Sequence, residues 1–379
     1  MILRLLFLAI FFSTTLLASE VSYIARSPRA LLMGDAYTAI ADDEYTLFYN
    51  PAALGRNKGV AFTLFNPSFG VTDVLSEQNR FKSFPTTAPL IANRLMEIPV
   101  YLQAGIFPTL KMGQFAFTLF ANNKTSFVLR NATHPMLDLD YRYDRGFICG
   151  FAHNIGSGAF STKAVKGGKS STSAGNRLSI GFALKHMSRQ GIKDQFDLFG
   201  TGLLSKINSG ATSVAALKTA LGYSTGKAWG FDLGTEYAIS SGHTTLTSAI
   251  SILDVANTRF QKTEGVADVP NQDMTINSGV ALKQDFGIFD YTLSADLHPL
   301  NGPTDLGRKF HLGSEFSIPL LTVDLGLSEG YLSYGASVKL WPLKITAGFY
   351  GVEVGYHYKE EQAKRFILYL SLFDFSIDL

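Results

Sequence analysis

Residues two apart on a strand share a face, so His186 and Ser188 in "KHMSRQG" have the spacing for an imidazole to activate a hydroxyl nucleophile. The chemistry would be acyl hydrolysis, as in outer membrane lipid hydrolases. No third residue is evident to orient the imidazole, and the pair reads instead as polar side chains at a strand end near a membrane interface. "GGKSS", Gly167 to Ser171, resembles the tail of a phosphate-binding loop, but Lys163 stands where the first glycine belongs and no strand leads into a helix there. The seven histidines are dispersed without a metal-ligand spacing, and His298 and His311 read as polar lining groups. Asp42-Asp43 reads as a helix cap and Glu360-Glu361 as a solvated loop, so general acid/base work is not indicated. Cys149 is the single cysteine, which rules out an internal disulfide, a thiolate metal cluster and a lipid-modified cysteine after the leader. The expectation is a protein that is no enzyme and carries neither metal nor cofactor.

The elements that must position any site are strands. "MILRLLFLAIFFSTTLLASE" has the Arg-then-apolar-then-small pattern of a signal peptide over 1–19, and its apolar run is too short for a membrane anchor. No later stretch has the apolar length of a spanning helix, and no basic block supports nucleic-acid binding. The alternation has period two. In "WGFDLGTEYAI", Trp229, Phe231, Leu233, Tyr237 and Ile239 oppose Gly230, Asp232, Gly234 and Glu236; in "RKFHLGSEFSI", Phe310, Leu312, Phe316 and Ile318 oppose Lys309, His311, Gly313 and Glu315. Such segments number roughly fourteen: near 60–66, 100–107, 113–121, 145–154, 177–187, 229–239, 244–255, 275–285, 289–298, 308–318, 321–328, 331–340, 343–355 and 364–374. An even count suits a closed barrel, and a polar face rich in Gly and Ser suits a lumen better than the wet face of a β-sandwich. The predicted fold is all-β, a transmembrane antiparallel β-barrel of about 14 strands over 59–379.

Several connections are hairpin-short: Ser240 to His243, Pro319-Leu320, Glu329-Gly330 and Trp341-Pro342. The stretch from Asn66, the region Gln190 to Ala228 and "NTRFQKTEGVADVPNQD" read as long outer loops. Gly156 to Asn176 is long but falls on the periplasmic side, which leaves either an excursion there or a missed strand pair involving Thr125 to Arg130. "GATSVAALKTALG", Gly210 to Gly222, is the best helix outside the N-terminal region.

"RALLMGDAYTAIADDEYTLFYNPAALG" precedes the first strand. Asp42 and Asp43 can cap a helix, Pro51 drives Asn50 extended, and Gly34 and Gly55 permit sharp turns. Compact and half apolar, the region 20–58 is suited to fold back as a plug in a lumen too wide for side chains to fill.

"MGDAYTAIADDEYTLFYNPAAL", with "AWGFDLGTEYAI", "LSADLHPLNGPTDLGRKFHLGSEF" and "ITAGFYGVEVGYHYKEEQAKRFILYLSL", resembles the FadL-type outer membrane transport proteins and, most nearly, their PorV-like relatives including the UPF0164 group. The resemblance implies a barrel of fourteen strands with an N-terminal hatch in the bacterial outer membrane. Carried over, Gly34, Asp42, Asp43, Asn50, Pro51 and Ala52 match the hatch motif; a bound compound would meet Leu47, Phe48 and Tyr49. The chain ends on Leu379, not the usual aromatic. The expected partners are outer membrane lipid and a small hydrophobic or lipid-like molecule that crosses passively past the hatch. The alternative is a scaffold or shuttle for an exported protein.

Overall fold

Each stretch of alternating side chains becomes a strand, and the strands close on themselves. The computed structural model describes residues 20–73, 82–83, 88–131, 133–155, 175–197, 218 and 221–377. Fourteen antiparallel strands form the ring. β1 (Val60–Phe65, continued as Ser68–Thr72) and β2 (Val100–Ile106, continued as Thr109–Met112) are each broken once. β3 (Phe115–Arg130), β4 (Met136–Ile155), β5 (Gly175–Asp197) and β6 (Ser224–Ser241) are long. Shorter strands follow: β7 (Thr244–Leu253), β8 (Thr275–Asp285), β9 (Asp290–Leu297), β10 (Phe310–Ser317), β11 (Leu321–Ser328), β12 (Tyr331–Leu340) and β13 (Leu343–Glu353). β14 (Gln362–Ile377) returns to β1, pairing Ile377 with Val60 and Arg365 with Thr72, so the ring has no free edge.

The apolar belt is continuous around the outside. On β4 the outward residues Phe147, Phe151 and Ile155 are apolar, on β5 Ile180, Phe182 and Leu184, on β6 Trp229 through Ile239, and on β9 to β11 Leu293, Leu312, Phe316, Val323 and Leu325. A belt of that height matches the hydrocarbon thickness that a tilted strand of about ten residues crosses. His186 lies in its upper rim, 4.7 Å from the Trp229 ring centre and 5.8 Å from that of Phe147. Above this rim the outward positions of β3 to β6 first turn polar (Asn123, Arg145, Gln190, Lys227) and those strands run on beyond their neighbours as a wall on one side. By the rule that short turns lie at the periplasmic end, this wall is at the outer end.

The wall explains where the sequence reading fell short. Thr125 to Arg130 is the top of β3 and not an extra strand, and residues 190–197 and 224–228 extend β5 and β6. The segment after Asn66 is likewise strand, Ser68–Thr72, and within the expected loop after β7 a short strand, Gln261–Gly265, pairs with the top of β6. The expected leader 1–19 and residues 156–174 lie outside the described residues, as does the expected helix 210–222 apart from 218, 221 and 222.

Candidate functional site

The bore is filled by residues 20–58, which touch inward-facing side chains on opposite sides of the ring. The chain enters this region at the outer end and leaves it at the periplasmic end. Ser27 caps a short helix, α1 (Pro28–Leu32), by accepting from Ala30 N. The turn after α1 needs left-handed backbone at Gly34 (φ 64°) and Asp35 (φ 62°). Its main chain is held by side chains of the wall: His311 Nδ1 lies 2.9 Å from Gly34 O, His298 Nε2 3.0 Å from Asp35 O, and Ser294 Oγ donates to Ala36 O at 2.7 Å. Tyr37 N and Thr38 N both donate to Asp296 Oδ2, at 2.8 and 2.7 Å.

Glycines of the wall make this approach possible. A Cβ on Gly326 would stand 2.0 Å from Gly34 N, and one on Gly313 would stand 2.6 Å from Met33 O. On the opposite wall a Cβ on Gly181 would stand 2.4 Å from Ala52 N, and one on Gly234 would stand 2.0 Å from Asn50 Oδ1. The small residues on the polar face of the strands are therefore seats for the N-terminal backbone, closer than any side chain would permit.

The expected site residues divide by this packing. Asn50 is extended (φ −156°, ψ 106°) and caps the 3-10 turn Pro51–Arg56 by accepting from Ala52 N, as Pro51 at the first position favours. Asp43 does not cap a helix directly: it accepts from Ser27 Oγ (2.5 Å), Tyr37 OH (2.9 Å) and Tyr45 N (2.9 Å), closing the chain on itself before the turn Thr46–Phe48. Asp42 caps nothing; it is half exposed and pairs with Arg29 at 2.6 Å. Leu47 fills the space over Gly150, Phe48 joins the rings of Tyr45, Phe107 and Phe120, and Tyr49 donates to Asp35 Oδ1 at 2.9 Å. These three are buried in packing and do not line the cavity described next.

That cavity, about 440 Å³, opens at the outer mouth beneath the wall of β3 to β5. Tyr101, Phe127, Val128 and Leu139 give it apolar surface; Lys124, Arg365, Asp140 and Glu20 give it charge. Glu20 and Ser22, from the lead (residues 20–26), reach it from below. Arg365 holds Glu20 through two nitrogens at 2.8 and 2.7 Å and stacks on the Tyr101 ring at 3.8 Å. Burial pushes the Glu20 carboxyl up, but Arg365, with Lys124 and Arg26 behind it, overrides this and holds it at about 2. Lys124 donates to Ser22 Oγ (2.9 Å) and Tyr23 O (3.0 Å), and Asn122 donates to Ile24 O (2.8 Å). From the other side Gln272 donates to Ser22 O at 2.6 Å.

Gln272 is in place because Arg189, fully buried, gathers the outer loop inward. Its guanidinium spans Asp144 (2.6 and 2.8 Å), Pro270 O, Asn271 O and Gln272 Oε1, and stacks on Phe260. Toward the periplasmic end Arg56 and Arg177 both pair with Glu236, at 2.9 and 2.8 Å. Burial and the neighbouring Asp43 push the Glu44 carboxyl up, and Tyr369 OH donates to it.

One place in the ring lacks a regular ladder. β1 breaks at Asn66-Pro67 and β2 at Phe107-Pro108, side by side, because proline has no N–H to give. The Asn66 side chain substitutes for backbone, donating to Phe107 O (2.9 Å) and accepting from Phe107 N (2.8 Å). Directly behind lie Tyr45, Phe48, Phe107 and Phe120. Sequence reasoning placed the lead inside the expected plug 20–58 but did not single out Asn66, Arg29 or Arg189; for Asn66 the two prolines inside strand-like runs were the available signal. Among the described residues, no group of three or more His, Cys, Asp or Glu is placed to hold a metal ion.

No family model matches the sequence, and no curated protein matches it. Solved structures of similar shape include the Ralstonia pickettii toluene transporter TbuX, at 12% identity and TM-score 0.46 over 92% of this chain and 98% of that one. The Pseudomonas putida toluene transporter TodX is similar at 10% identity and TM-score 0.47, over 95% of this chain and 100% of that one.

Proposed function

We propose that the chain is an outer membrane barrel for passive passage of small hydrophobic or amphiphilic compounds, with residues 20–58 as its hatch. The observation that carries this reading is the outer cavity of about 440 Å³, which the lead lines through Glu20 and Ser22. The turn 33–38 and the segment 50–54 interlock with wall glycines, whereas the lead is held by side-chain hydrogen bonds and ion pairs, which can exchange one by one. A compound that displaces Glu20 to Arg26 would reach the interior without unseating the rest. The broken seam at Asn66, with rings behind it, then offers a sideways exit toward the belt.

The test is uptake of toluene and of a medium-chain amphiphile into vesicles containing the full barrel, compared with a variant lacking 20–26 and with Asn66→Ala. Both variants should raise flux of apolar solutes. Equal flux of every solute through wild type, both variants and empty vesicles refutes the reading. The alternative, an outer surface that holds an exported protein, has in its favour the wall of β3 to β6 running on beyond the neighbouring strands. Recovery of a stoichiometric exported protein with the barrel from detergent-solubilised membranes would favour it.

A further inference from the structure

Arg145 on β4, Ser188 on β5 and Lys227 on β6 stand in one row of the ladder. All three face outward, because their sequence neighbours Asp144, Met187, Arg189 and Ala228 are buried in the bore. The row directly below is Phe147, His186 and Trp229, whose rings touch one another. Beneath them come Leu184 and Phe231, then Phe182 and Leu233, all on the lipid side. Gln261 extends the upper row past Lys227. Two residues before it Arg259 is exposed, since Thr258 and Phe260 on either side turn inward, to Asp254 and to Arg189. Among the described residues Arg145, Lys227 and Arg259 have no ion pair and no side-chain hydrogen bond. Glu264 stands in the next row up, opposite Thr225, and pairs with none of them. Elsewhere on this rim cations are engaged: Lys364 pairs with Asp73 at 2.9 Å, and Lys309 donates to Leu300 O and Gly302 O.

We propose that this patch binds the phosphate head group of a lipid in the outer leaflet. Neighbouring strands lie about 4.8 Å apart, so Arg145 and Lys227 are about 10 Å apart with Ser188 between them. Both long side chains can converge on the space over Ser188, where its hydroxyl adds a donor. An arginine fork beside a lysine suits the several oxygens of one phosphate. The depth fits as well: tryptophan and its ring neighbours mark the level where hydrocarbon meets head groups, and the cations stand one row above it. The acyl chains of the same lipid then lie down the belt along Leu184, Phe231, Phe182 and Leu233. A soluble anion would gain nothing from that apolar strip, so the continuity of cation row, ring row and belt selects a lipid over a free phosphate or an acidic protein.

The inference needs the membrane belt and neither the hatch nor transport. The chain has two tryptophans, Trp229 beneath the patch and Trp341 at the periplasmic turn between β12 and β13, so in Trp341→Phe the emission reports Trp229 alone. The full barrel carrying that change is placed in phosphatidylcholine vesicles. A minor share of the lipid is either brominated phosphatidylcholine or brominated phosphatidic acid with the same chains, and quenching gives the enrichment of each around Trp229. Phosphatidic acid should be enriched, and Arg145→Gln, Lys227→Gln and Arg259→Gln should each lower the enrichment by about two- to fivefold. The triple variant should treat both lipids alike. Lys58→Gln, exposed at the other end of the barrel, should change nothing. Equal quenching by the two lipids before any cation is removed overturns the proposal whether or not the variants fold, and so does enrichment that survives the triple change. Soluble glycerol phosphate that abolishes the enrichment as well as unbrominated phosphatidic acid does would show a free-anion site and overturn the lipid assignment.

Discussion

A single methyl group on the inner wall should unseat the hatch turn without opening the barrel. In Gly326→Ala the new Cβ would stand 2.0 Å from Gly34 N, 2.3 Å from Met33 C and 2.6 Å from Gly34 Cα, all backbone that cannot swing aside. Gly34 cannot retreat freely, because His311, His298, Ser294 and Asp296 fix residues 34–38 to β9 and β10. Overpacking of this kind costs about 1–3 kcal/mol. At about 1.4 kcal/mol per decade the turn's seating equilibrium weakens roughly 5- to 150-fold. The ladder of β10, β11 and β12 is untouched, so heat-modifiable migration of the folded barrel should persist. The assay is amide exchange at 33–38, where a rise within that range is expected. Gly191→Ala supplies the graded control, since its nearest neighbours are Pro270 Cδ at 3.0 Å and Tyr141 O at 3.1 Å, and little change at 33–38 should follow. Val323→Ala, on the lipid face of the same strand as Gly326, should also leave 33–38 unchanged. Wild-type exchange at 33–38 in a folded Gly326→Ala barrel would refute the idea that glycines seat the hatch.

Asn50→Ala removes the cap on Ala52 N and the amide's bonds to Thr38 O and Thr235 O, and should cost about 0.5–2 kcal/mol, read as faster exchange at 51–56 in an intact barrel. Arg189→Met strands Asp144 in the bore and should cost about 3–5 kcal/mol by chemical denaturation in detergent. Adding Asp144→Asn should recover part of that stability, while the loop 259–272 stays loose to protease in both. At the outer turn between β11 and β12, burial pushes the Glu329 carboxyl up to about 7 from 4.5, despite Glu353 N donating to it at 2.6 Å. The native turn thus binds the extra proton, so its stability is complete at pH values below about 4.5 and falls as pH rises through about 7. Glu329→Gln should abolish that slope in exchange measured at 353–361.

How much was legible follows from what lipid and packing each demand of a residue. Lipid demands an oily side chain at every second position, a requirement local in sequence, and all fourteen belt crossings could be read from residues such as Trp229, Phe231 and Leu233. Once a strand rises above lipid the demand lapses, and the tops of β5 and β6 read as one loop, Gln190 to Ala228, while Thr125 to Arg130 reads as a possible extra strand. The breaks at Pro67 and Pro108 had a local cause but a non-local partner, since nothing near Asn66 in sequence announces Phe107. Asp42 and Asp43 looked alike as capping residues. Only the fold shows that one is enclosed by Ser27, Tyr37 and Tyr45 while the other faces Arg29.

Glycine on the polar face reads in the sequence as what a barrel lumen tolerates, and the packing gives it a stronger meaning. A water-filled bore has no use for a missing Cβ, because water adapts to any side chain. Backbone within 3 Å of where a Cβ would stand does require one, as at Gly181, Gly313 and Gly326. The lumen face is therefore a negative of the hatch, and it separates what is fixed from what can move. Where the wall is glycine, backbone packs directly on backbone and no side chain is there to swing aside. Where the wall offers Lys124, Asn122, Arg365 and Gln272, as it does along the lead, each contact can be traded for water or a ligand group in turn. A molecule entering from the outer mouth should accordingly displace residues 20–26 first and leave 33–38 and 50–54 in place, an order that exchange measured with and without a saturating apolar solute would read directly.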